Sequence, residues 1–380
     1  KLLCWFNFMI ELTRNNSFPD MSRNNHFQFG YNNQLWNHGD QQKDIITYKY
    51  GPISRKPSDV MSEGLFMANE ISKKAGNDLV LLLSGGIDSE IMVRFFMSIG
   101  AKFSCEICRF NDNLNWYDIK YGIEFCNKYN ITYHIHDLDI IDFYQSGEYE
   151  EYAIETKCPS PQIVTYIWLV NRLKNFFPML GGQPSTMYNS YKGLDRFINF
   201  QLKNKYDVVF LKDIISDTKG NIKDAIPPLI QLMSPSEFPL YRFFIQRKIQ
   251  GVPHFYHYSP EFTYAWLTST PVLNYINQKA EFENDLYWDY SVKRKLYDLN
   301  FNFKDVAHRP LGGGGTATSG AGGGGFELVK EYFKNKGINY EKQFRWSLLK
   351  KFPNAMDRVV VQNDNFIKLL EDGHKTFRKW

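Results

Sequence analysis

The sequence lacks any apolar run of about 18 residues, the length that a membrane-spanning helix needs. We therefore expect no membrane span. A net charge of +4 is too small to indicate a nucleic-acid partner by itself. The 380 residues, with 43% hydrophobic and 23% charged side chains, are typical of a globular protein large enough for two or three domains.

Cysteine is also scarce. The five cysteines are Cys4, Cys105, Cys108, Cys126 and Cys158. An odd, scattered set favours reduced thiols in a cytosolic compartment over a disulfide framework. Cys105 and Cys108 form a C-x-x-C pattern inside a strand-like segment, where residues three apart point to opposite faces. We therefore interpret both as structural cysteines and not as a redox or metal pair.

Neither of the two commonest phosphate-binding patterns, G-x-x-x-x-G-K-[ST] and G-x-G-x-x-G, occurs in the stretch that dominates this chain. That stretch begins with five consecutive aliphatic residues, 79–83, which are typical of a buried strand in a parallel sheet. Ser84-Gly85-Gly86-Ile87-Asp88-Ser89 follows, and then a helical pattern from Glu90 onward.

A strand, a glycine turn and a helix N-terminus together predict an anion site, because free backbone N–H groups and the positive end of the helix dipole meet there. Gly85 and Gly86 allow a sharp turn and a close backbone approach. Ser84 and Ser89 add hydroxyl groups. Asp88 adds a carboxylate suited to a magnesium ion beside phosphate oxygens.

These residues resemble the S-G-G-x-D-S pyrophosphate loop of the ATP-pyrophosphatase (PP-loop) superfamily. That superfamily includes asparagine synthetases, GMP and NAD synthetases, queuosine-pathway synthases and tRNA-thiolating enzymes. The resemblance implies that residues 84–89 bind the phosphates of ATP and that Asp88 is catalytic and holds Mg²⁺. The alternative is an ordinary glycine turn between a core strand and a helix.

Strand and helix patterns alternate from the loop to about residue 180, which predicts βαβ units and a doubly wound parallel sheet. Ligands bind at the carboxyl ends of strands in such sheets. We therefore place Ile107 and Arg109, at the end of the second strand, beside the nucleotide, and the resemblance implies a contact with adenine. His134 and His136 alternate on the third strand without a third ligand, and we interpret them as hydrogen-bonded histidines and not as a metal site.

Helix boundaries carry capping signals at two further places. Ser58 or Asp59 is a candidate N-cap for a helix from about Val60 to Lys74, which Gly76 closes. Ser259-Pro260-Glu261 is a second candidate, with proline at the first helical position.

Further site residues come only from the resemblance to the asparagine-synthetase branch. Gly181 and Gly182 resemble the fourth-strand glycine turn that flanks the AMP half of ATP, and a simple strand-exit turn is the alternative. Lys293 and Arg309 resemble the basic residues that reach the phosphates, and a basic helix surface is the alternative for residues 293–295. The chain departs from the branch at 183–186, where Gln-Pro-Ser-Thr replaces the usual acidic residues, so the acceptor substrate is left open.

The predicted domains are a β-containing extension (1–51), a nucleotide-binding domain (52–200) and a mainly helical domain (201–380). The last includes a segment, 312–325, in which nine of fourteen residues are glycine, and we expect a flexible linker there. About 50 residues ahead of the nucleotide domain are too few for a glutaminase domain, so we expect none to be built in.

The predicted function is an adenylate-forming ligase that uses ATP and Mg²⁺ on a small carboxylate or amide acceptor. Ammonia would come from solution or from a separate donor protein. Two alternatives remain: a nucleobase- or tRNA-modifying enzyme of the same superfamily, with a sulfur or nitrogen donor, and a non-catalytic nucleotide-binding module in a larger assembly.

Overall fold

The computed structural model describes residues 27–31, 34–35, 46–50, 53, 55–156, 158, 161–182, 184, 187–188, 230–231, 238–272, 290–303, 326–346 and 359–361. The helices, in chain order, are α1 (Val60–Ala75), α2 (Ile87–Ser98), α3 (Trp116–Tyr129), α4 (Ile140–Gln145), α5 (Glu148–Thr156), α6 (Pro161–Arg172), α7 (Phe238–Gln246), α8 (Pro260–Thr268), α9 (Tyr290–Phe301) and α10 (Glu327–Asn335). Among the described residues, no helix has both the length and the apolar character needed to cross a membrane.

The strands form three sheets within these ranges. In chain order they are β1 (Phe27–Tyr31), β2 (Gln34–Leu35), β3 (Ile46–Tyr50), β4 (Leu79–Leu82), β5 (Ser104–Phe110), β6 (Tyr133–Leu138), β7 (Phe177–Met179), β8 (Met187–Tyr188), β9 (Ile230–Gln231) and β10 (Val359–Val361). The first sheet has the order β10-β3-β1-β2, and β8 pairs with β9. Strands β1 and β3 lie within the predicted β-containing extension, 1–51.

The central sheet has four strands in the order β6-β5-β4-β7, and all of its pairings are parallel. The chain is therefore α/β around a parallel sheet, as expected. Along the chain, β5 pairs with one edge of β4 and β6 pairs with β5. The next strand, β7, pairs with the opposite edge of β4. The direction of strand order thus reverses between β4 and β7.

Both faces of this sheet are covered by buried side chains. Along the strand that includes β4, Leu79, Leu81 and Leu83 face one apolar group, while Val80 and Leu82 face the other. Burial on both faces explains why this segment is a continuous aliphatic run and not an alternating one.

The C-terminal half of the described chain shares these two cores. Val252 forms a parallel bridge with Met179 beside β7, and the amide of Leu180 donates to the carbonyl of Val252 at 3.0 Å. Aromatic side chains from α8 and α9 enter one core, among them Trp266, Tyr297 and Phe301. This arrangement brings residues far along the chain to the carboxyl ends of β4 and β7.

Both capping predictions are confirmed. Asp59 is the N-cap of α1, its side chain accepting from the amide of Ser62 at 2.9 Å, and Gly76 closes the helix with φ 64°. Ser259 is the N-cap of α8, with Pro260 in the first turn.

Candidate functional site

The loop after β4 turns sharply into α2, as predicted. Gly85 has φ +85°, a left-handed conformation that favours glycine, and Gly86 is the N-cap of α2 in an extended conformation. Gly86 supplies no capping side chain to the first N–H groups of α2, so a bound anion can take the place of a cap there.

Gly85 is also required by close packing against α3. A Cβ built on Gly85 would overlap the main-chain carbonyl of Asp118, in the first turns of α3. On the other side of this contact, a Cβ at Gly122 would lie 3.1 Å from Cγ of Leu83 and 3.5 Å from Cα of Gly85. The loop is therefore held against α3 at a distance that only a residue without a side chain allows.

The two serines of the loop form a closed ring of hydrogen bonds. The amide of Gly86 donates to Oγ of Ser84 at 3.2 Å, and the hydroxyl of Ser89 donates to the carbonyl of Gly86 at 2.9 Å. The two hydroxyl oxygens lie 3.1 Å apart, and because the Ser89 hydrogen goes to Gly86, Ser84 is the donor between them. These hydroxyls stabilise the turn itself in this structure.

Asp88, in the first turn of α2, contacts two tyrosines from distant parts of the chain. The hydroxyl of Tyr297, on α9, donates to the Asp88 carboxylate. The hydroxyl of Tyr256, in the short 3-10 helix Phe255–His257, donates to the main-chain oxygen of Asp88 at 2.7 Å. Burial, followed by the negative charge of Asp88, raises the pKa of Tyr256 well above its usual value, so Tyr256 stays a neutral donor.

The predicted glycine turn after β7 lies beside this loop. A Cβ on Gly181 would lie 3.3 Å from Cα of Ser89, so the two turns are in direct contact. Gly182 has φ +63°, and a Cβ there would overlap the imidazole of His254. The structure therefore brings together the two glycine turns that the resemblance places around one nucleotide.

His254 stacks on His257 with ring centroids 3.7 Å apart and an interplanar angle of 2°. Both imidazoles are buried, and burial, followed by the charge of His254, lowers the pKa of His257 well below its usual value. His257 therefore stays neutral near pH 7, and His254 is the ring that lies behind Gly182.

Ile107 and Arg109 both lie on β5, and their surroundings differ from those of the loop residues. Ile107 is fully buried in the core beneath the sheet, so its side chain does not line the surface. Arg109 is exposed and pairs with Asp137 of β6 through hydrogen bonds of 2.6 and 2.9 Å. The Arg109 guanidinium lowers the pKa of the Asp137 carboxyl.

The two predicted basic residues differ in how far the structure describes them. Lys293 belongs to α9 and lies four residues before Tyr297, so the two positions share one face of that helix one turn apart. The Tyr297–Asp88 contact thus brings the Lys293-bearing helix to the loop. Arg309 and the glycine-rich segment 312–325 lie outside the described residues.

The predicted orientation of Cys105 and Cys108 toward opposite faces of a strand is confirmed. The four described cysteines, at 105, 108, 126 and 158, are free thiols. Cys105 belongs to one core and Cys108 packs against the other, on opposite faces of β5. Burial raises the pKa of Cys108 to about 12, so this thiol is not a reactive one.

His134 and His136 both bond to the carboxylate of Glu106, at 3.0 and 2.6 Å, and the hydroxyl of Ser104 donates to the same carboxylate at 2.7 Å. Burial opposes ionisation of Glu106, but the hydrogen bonds from His136, His134 and Ser104 outweigh it and lower its pKa. The two histidines are hydrogen-bonded to a buried carboxylate, in agreement with the sequence interpretation.

Asp88 is the residue whose chemistry fits magnesium. In the part of the chain that the structure describes, no group of three or more His, Cys, Asp or Glu is arranged to hold a metal ion. An all-protein cage is therefore not present in those ranges. Magnesium commonly uses one or two carboxylates together with substrate phosphates, and a single aspartate at an open helix N-terminus suits that shared coordination.

Sequence reasoning missed Tyr256, Tyr297 and the two stacked histidines. The 3-10 helix 255–257 places the Tyr256 hydroxyl against the loop, and His254, its N-cap residue, lies against the second glycine turn. No local pattern marks a tyrosine whose partner lies about two hundred positions earlier.

Comparison with known proteins adds no family name: no family model matches the chain, and no curated protein matches it significantly. The function is therefore inferred from the fold and from the geometry of the site.

Proposed function

We propose that this chain is an ATP-dependent, adenylate-forming enzyme with the doubly wound fold of the PP-loop superfamily, nearest to its asparagine-synthetase branch. One observation carries the proposal. The loop 84–89 and the Gly181–Gly182 turn touch each other at the carboxyl ends of β4 and β7, where the strand order reverses. Crevices at such reversals are the usual ligand sites of open α/β sheets.

Each part of the loop has a role in this proposal. The N–H groups of the first turn of α2 bind phosphate oxygens, and Gly85 keeps the backbone accessible to them. Asp88 would hold a magnesium ion beside the phosphates. When bound, this ion neutralises charge on the phosphates of ATP.

The reaction is an attack by an oxygen of the acceptor, a carboxylate or an amide, on the α-phosphorus of ATP. A new phosphorus–oxygen bond forms, and the bond from the α-phosphorus to the bridging oxygen breaks, so that pyrophosphate leaves with the bonding electron pair. A nitrogen or sulfur nucleophile then displaces AMP. The chain contributes position and charge and needs no nucleophile of its own.

Lys293 and Arg309 complete the charge arrangement. Negative charge accumulates on the departing pyrophosphate, and basic side chains stabilise it where it develops. The position of Lys293 one turn from Tyr297 on α9 supports this role, because Tyr297 contacts the loop directly.

The acceptor is a small molecule, and the nitrogen or sulfur comes from solution or from a separate donor protein. The Gln-Pro-Ser-Thr sequence at 183–186 argues against an acceptor identical to aspartate. A nucleobase acceptor is the variant of this proposal within the same superfamily.

A non-catalytic nucleotide-binding module in a larger assembly is the second candidate. The hydrogen bond from Tyr297 to Asp88 favours this candidate, because a side chain of the protein itself already occupies part of the carboxylate that is assigned to the metal. ATP binding without any chemistry is what this candidate predicts.

Exchange of labelled pyrophosphate into ATP, measured over a panel of carboxylates, amides and nucleobases, separates the two candidates. The enzyme proposal expects exchange with at least one acceptor and its loss in Asp88→Ala. Asp78→Ala is the matched control, because Asp78 is an exposed aspartate at the opposite, amino end of β4. ATP binding with no exchange for any acceptor supports the module, and exchange that survives Asp88→Ala contradicts the role given to the loop.

A further inference from the structure

Asp88 is engaged at two chemically different atoms by two tyrosines. Tyr297 donates to the carboxylate, which is the group assigned to magnesium, whereas Tyr256 donates to the main-chain oxygen of the same residue. Both tyrosines are almost fully buried. Only the bond from Tyr297 acts on the carboxylate oxygens, so only this bond can influence the orientation of the carboxylate toward a metal ion.

The position of the Tyr297 hydroxyl is set by the packing of its ring. The ring lies edge-on to Trp266, with centroids 5.7 Å apart, and it meets Phe301 at 5.4 Å. A ring held in this way has little rotational freedom, so the hydroxyl is directed at Asp88 before any ligand arrives.

We propose that Tyr297 is a positioning residue of the nucleotide site, which fixes the orientation of the Asp88 carboxylate and thereby sets the affinity of the site for magnesium. This inference rests on the proposed function. A carboxylate has about four lone-pair positions, so a bond from one hydroxyl is compatible with a metal ion on the same group. Outer hydrogen-bond partners of metal-binding side chains commonly change metal affinity in this way.

A neutral hydroxyl donor holds the carboxylate without adding a positive charge that would repel the ion. Tyr297 thus connects α9, the helix that also bears Lys293, to the metal-binding atom of the loop.

The test compares Tyr297→Phe with Tyr256→Phe, since each removes one hydroxyl and keeps its ring. ATP affinity is measured by calorimetry in EDTA and then over a series of magnesium concentrations. In Tyr297→Phe the magnesium concentration needed for half of the affinity gain should rise about 10-fold, the lower end of the range for outer-shell partners. Affinity in EDTA should stay within about twofold of wild type, since the hydroxyl acts on the metal and not on the nucleotide.

Tyr256→Phe should lower the melting temperature and leave the magnesium dependence unchanged. Asp88→Asn supplies the second half of the test: adding Tyr297→Phe to it should cause no further change in magnesium dependence, because the carboxylate through which Tyr297 acts is gone. If Tyr297→Phe does not fold, 3-fluorotyrosine at position 297 keeps the ring and alters only the strength of the donor, and the magnesium midpoint should still shift.

Three outcomes overturn the inference. ATP binding with the same magnesium dependence in wild type and Tyr297→Phe shows that Tyr297 is a structural contact only, and the proposed function survives. An equal further loss in the Asp88→Asn background shows that Tyr297 does not act through Asp88. Failure of the wild-type protein to bind ATP at all refutes the proposed function, and this inference with it.

Discussion

Replacing Gly85 by alanine should destabilise the protein far more than the same change at Gly100. Gly85 and Gly100 both have positive φ, +85° and +65°, so alanine is strained at either position. At Gly100 an added Cβ would have no neighbour within 4 Å, whereas the Cβ at Gly85 would overlap the carbonyl of Asp118. The pair therefore separates backbone strain from packing against α3.

The expected sizes follow from these two contributions. Alanine in a left-handed conformation costs about 1 kcal/mol, and this is the whole expected effect at Gly100. Overpacking adds roughly 1–3 kcal/mol when neighbouring atoms must move. The neighbour at Gly85 is main chain and not a flexible side-chain end, so we expect a total of about 2–4 kcal/mol for Gly85→Ala.

Urea unfolding, followed by circular dichroism, measures both variants against wild type, with the slope checked to ensure that the unfolded states are comparable. Gly85→Ala should also weaken ATP binding, because α3 and the loop must separate, and Gly100→Ala should not. Free energies of unfolding for the two variants that agree within about 0.5 kcal/mol would refute the close contact between the loop and α3.

Three further predictions concern the surroundings of the loop and the central sheet. Gly182→Ala should cost more stability than Gly100→Ala in urea unfolding, because the two glycines share nearly the same φ (+63° and +65°) but only the Cβ at Gly182 meets the ring of His254; equal losses would contradict the packing. The pKa of His257 is lowered in the folded protein by burial and by His254, so its contribution to stability is present above the ordinary value of about 6.5 and is lost as the pH falls below it. The melting temperature of His257→Gln should therefore fall less steeply than that of wild type between pH 7 and pH 5, and parallel curves would refute a neutral, buried His257. The pKa of Glu106 is lowered by its hydrogen bonds despite burial, so its contribution to stability is present above about pH 4.5 and is lost at lower pH. Glu106→Gln should therefore lower the free energy of unfolding in urea by about 1.5–3 kcal/mol at pH 7 and by less at pH 4. A loss of stability that does not depend on pH would contradict an ionised Glu106.

Local patterns predicted the elements around the site well. The aliphatic run 79–83 became β4 and its exit, and the caps at Asp59 and Ser259 lie where the side-chain chemistry placed them. These features depend on neighbours a few residues away, and period, capping and glycine turns are readable at that range.

The contacts that complete the site were not predictable in the same way. Tyr297 and Tyr256 reach Asp88 across 209 and 168 positions, through a packing arrangement that no short pattern encodes. For Ile107, the sequence indicated the position in the strand but not the direction of the side chain. Its place near the end of β5 suggested a nucleotide contact, but the pleat directs its side chain into the core.

The contact between the two glycine turns was predictable in part. Each turn was recognised from its own residues, and the resemblance placed both beside one nucleotide. Their adjacency depends on β7 pairing with β4 and not with β6, and that choice is made by the order of strands in the sheet.

Direct binding of pyrophosphate tests the central claim, that residues 84–89 bind the phosphates of ATP. Calorimetric titration of wild-type protein with ATP, AMP and inorganic pyrophosphate, each with magnesium, should show that ATP binds more tightly than AMP and that pyrophosphate competes with ATP. Competition should be lost in Gly85→Ala and retained in Gly100→Ala. Absence of ATP binding, or equal binding of ATP and AMP with no competition by pyrophosphate, would contradict the account.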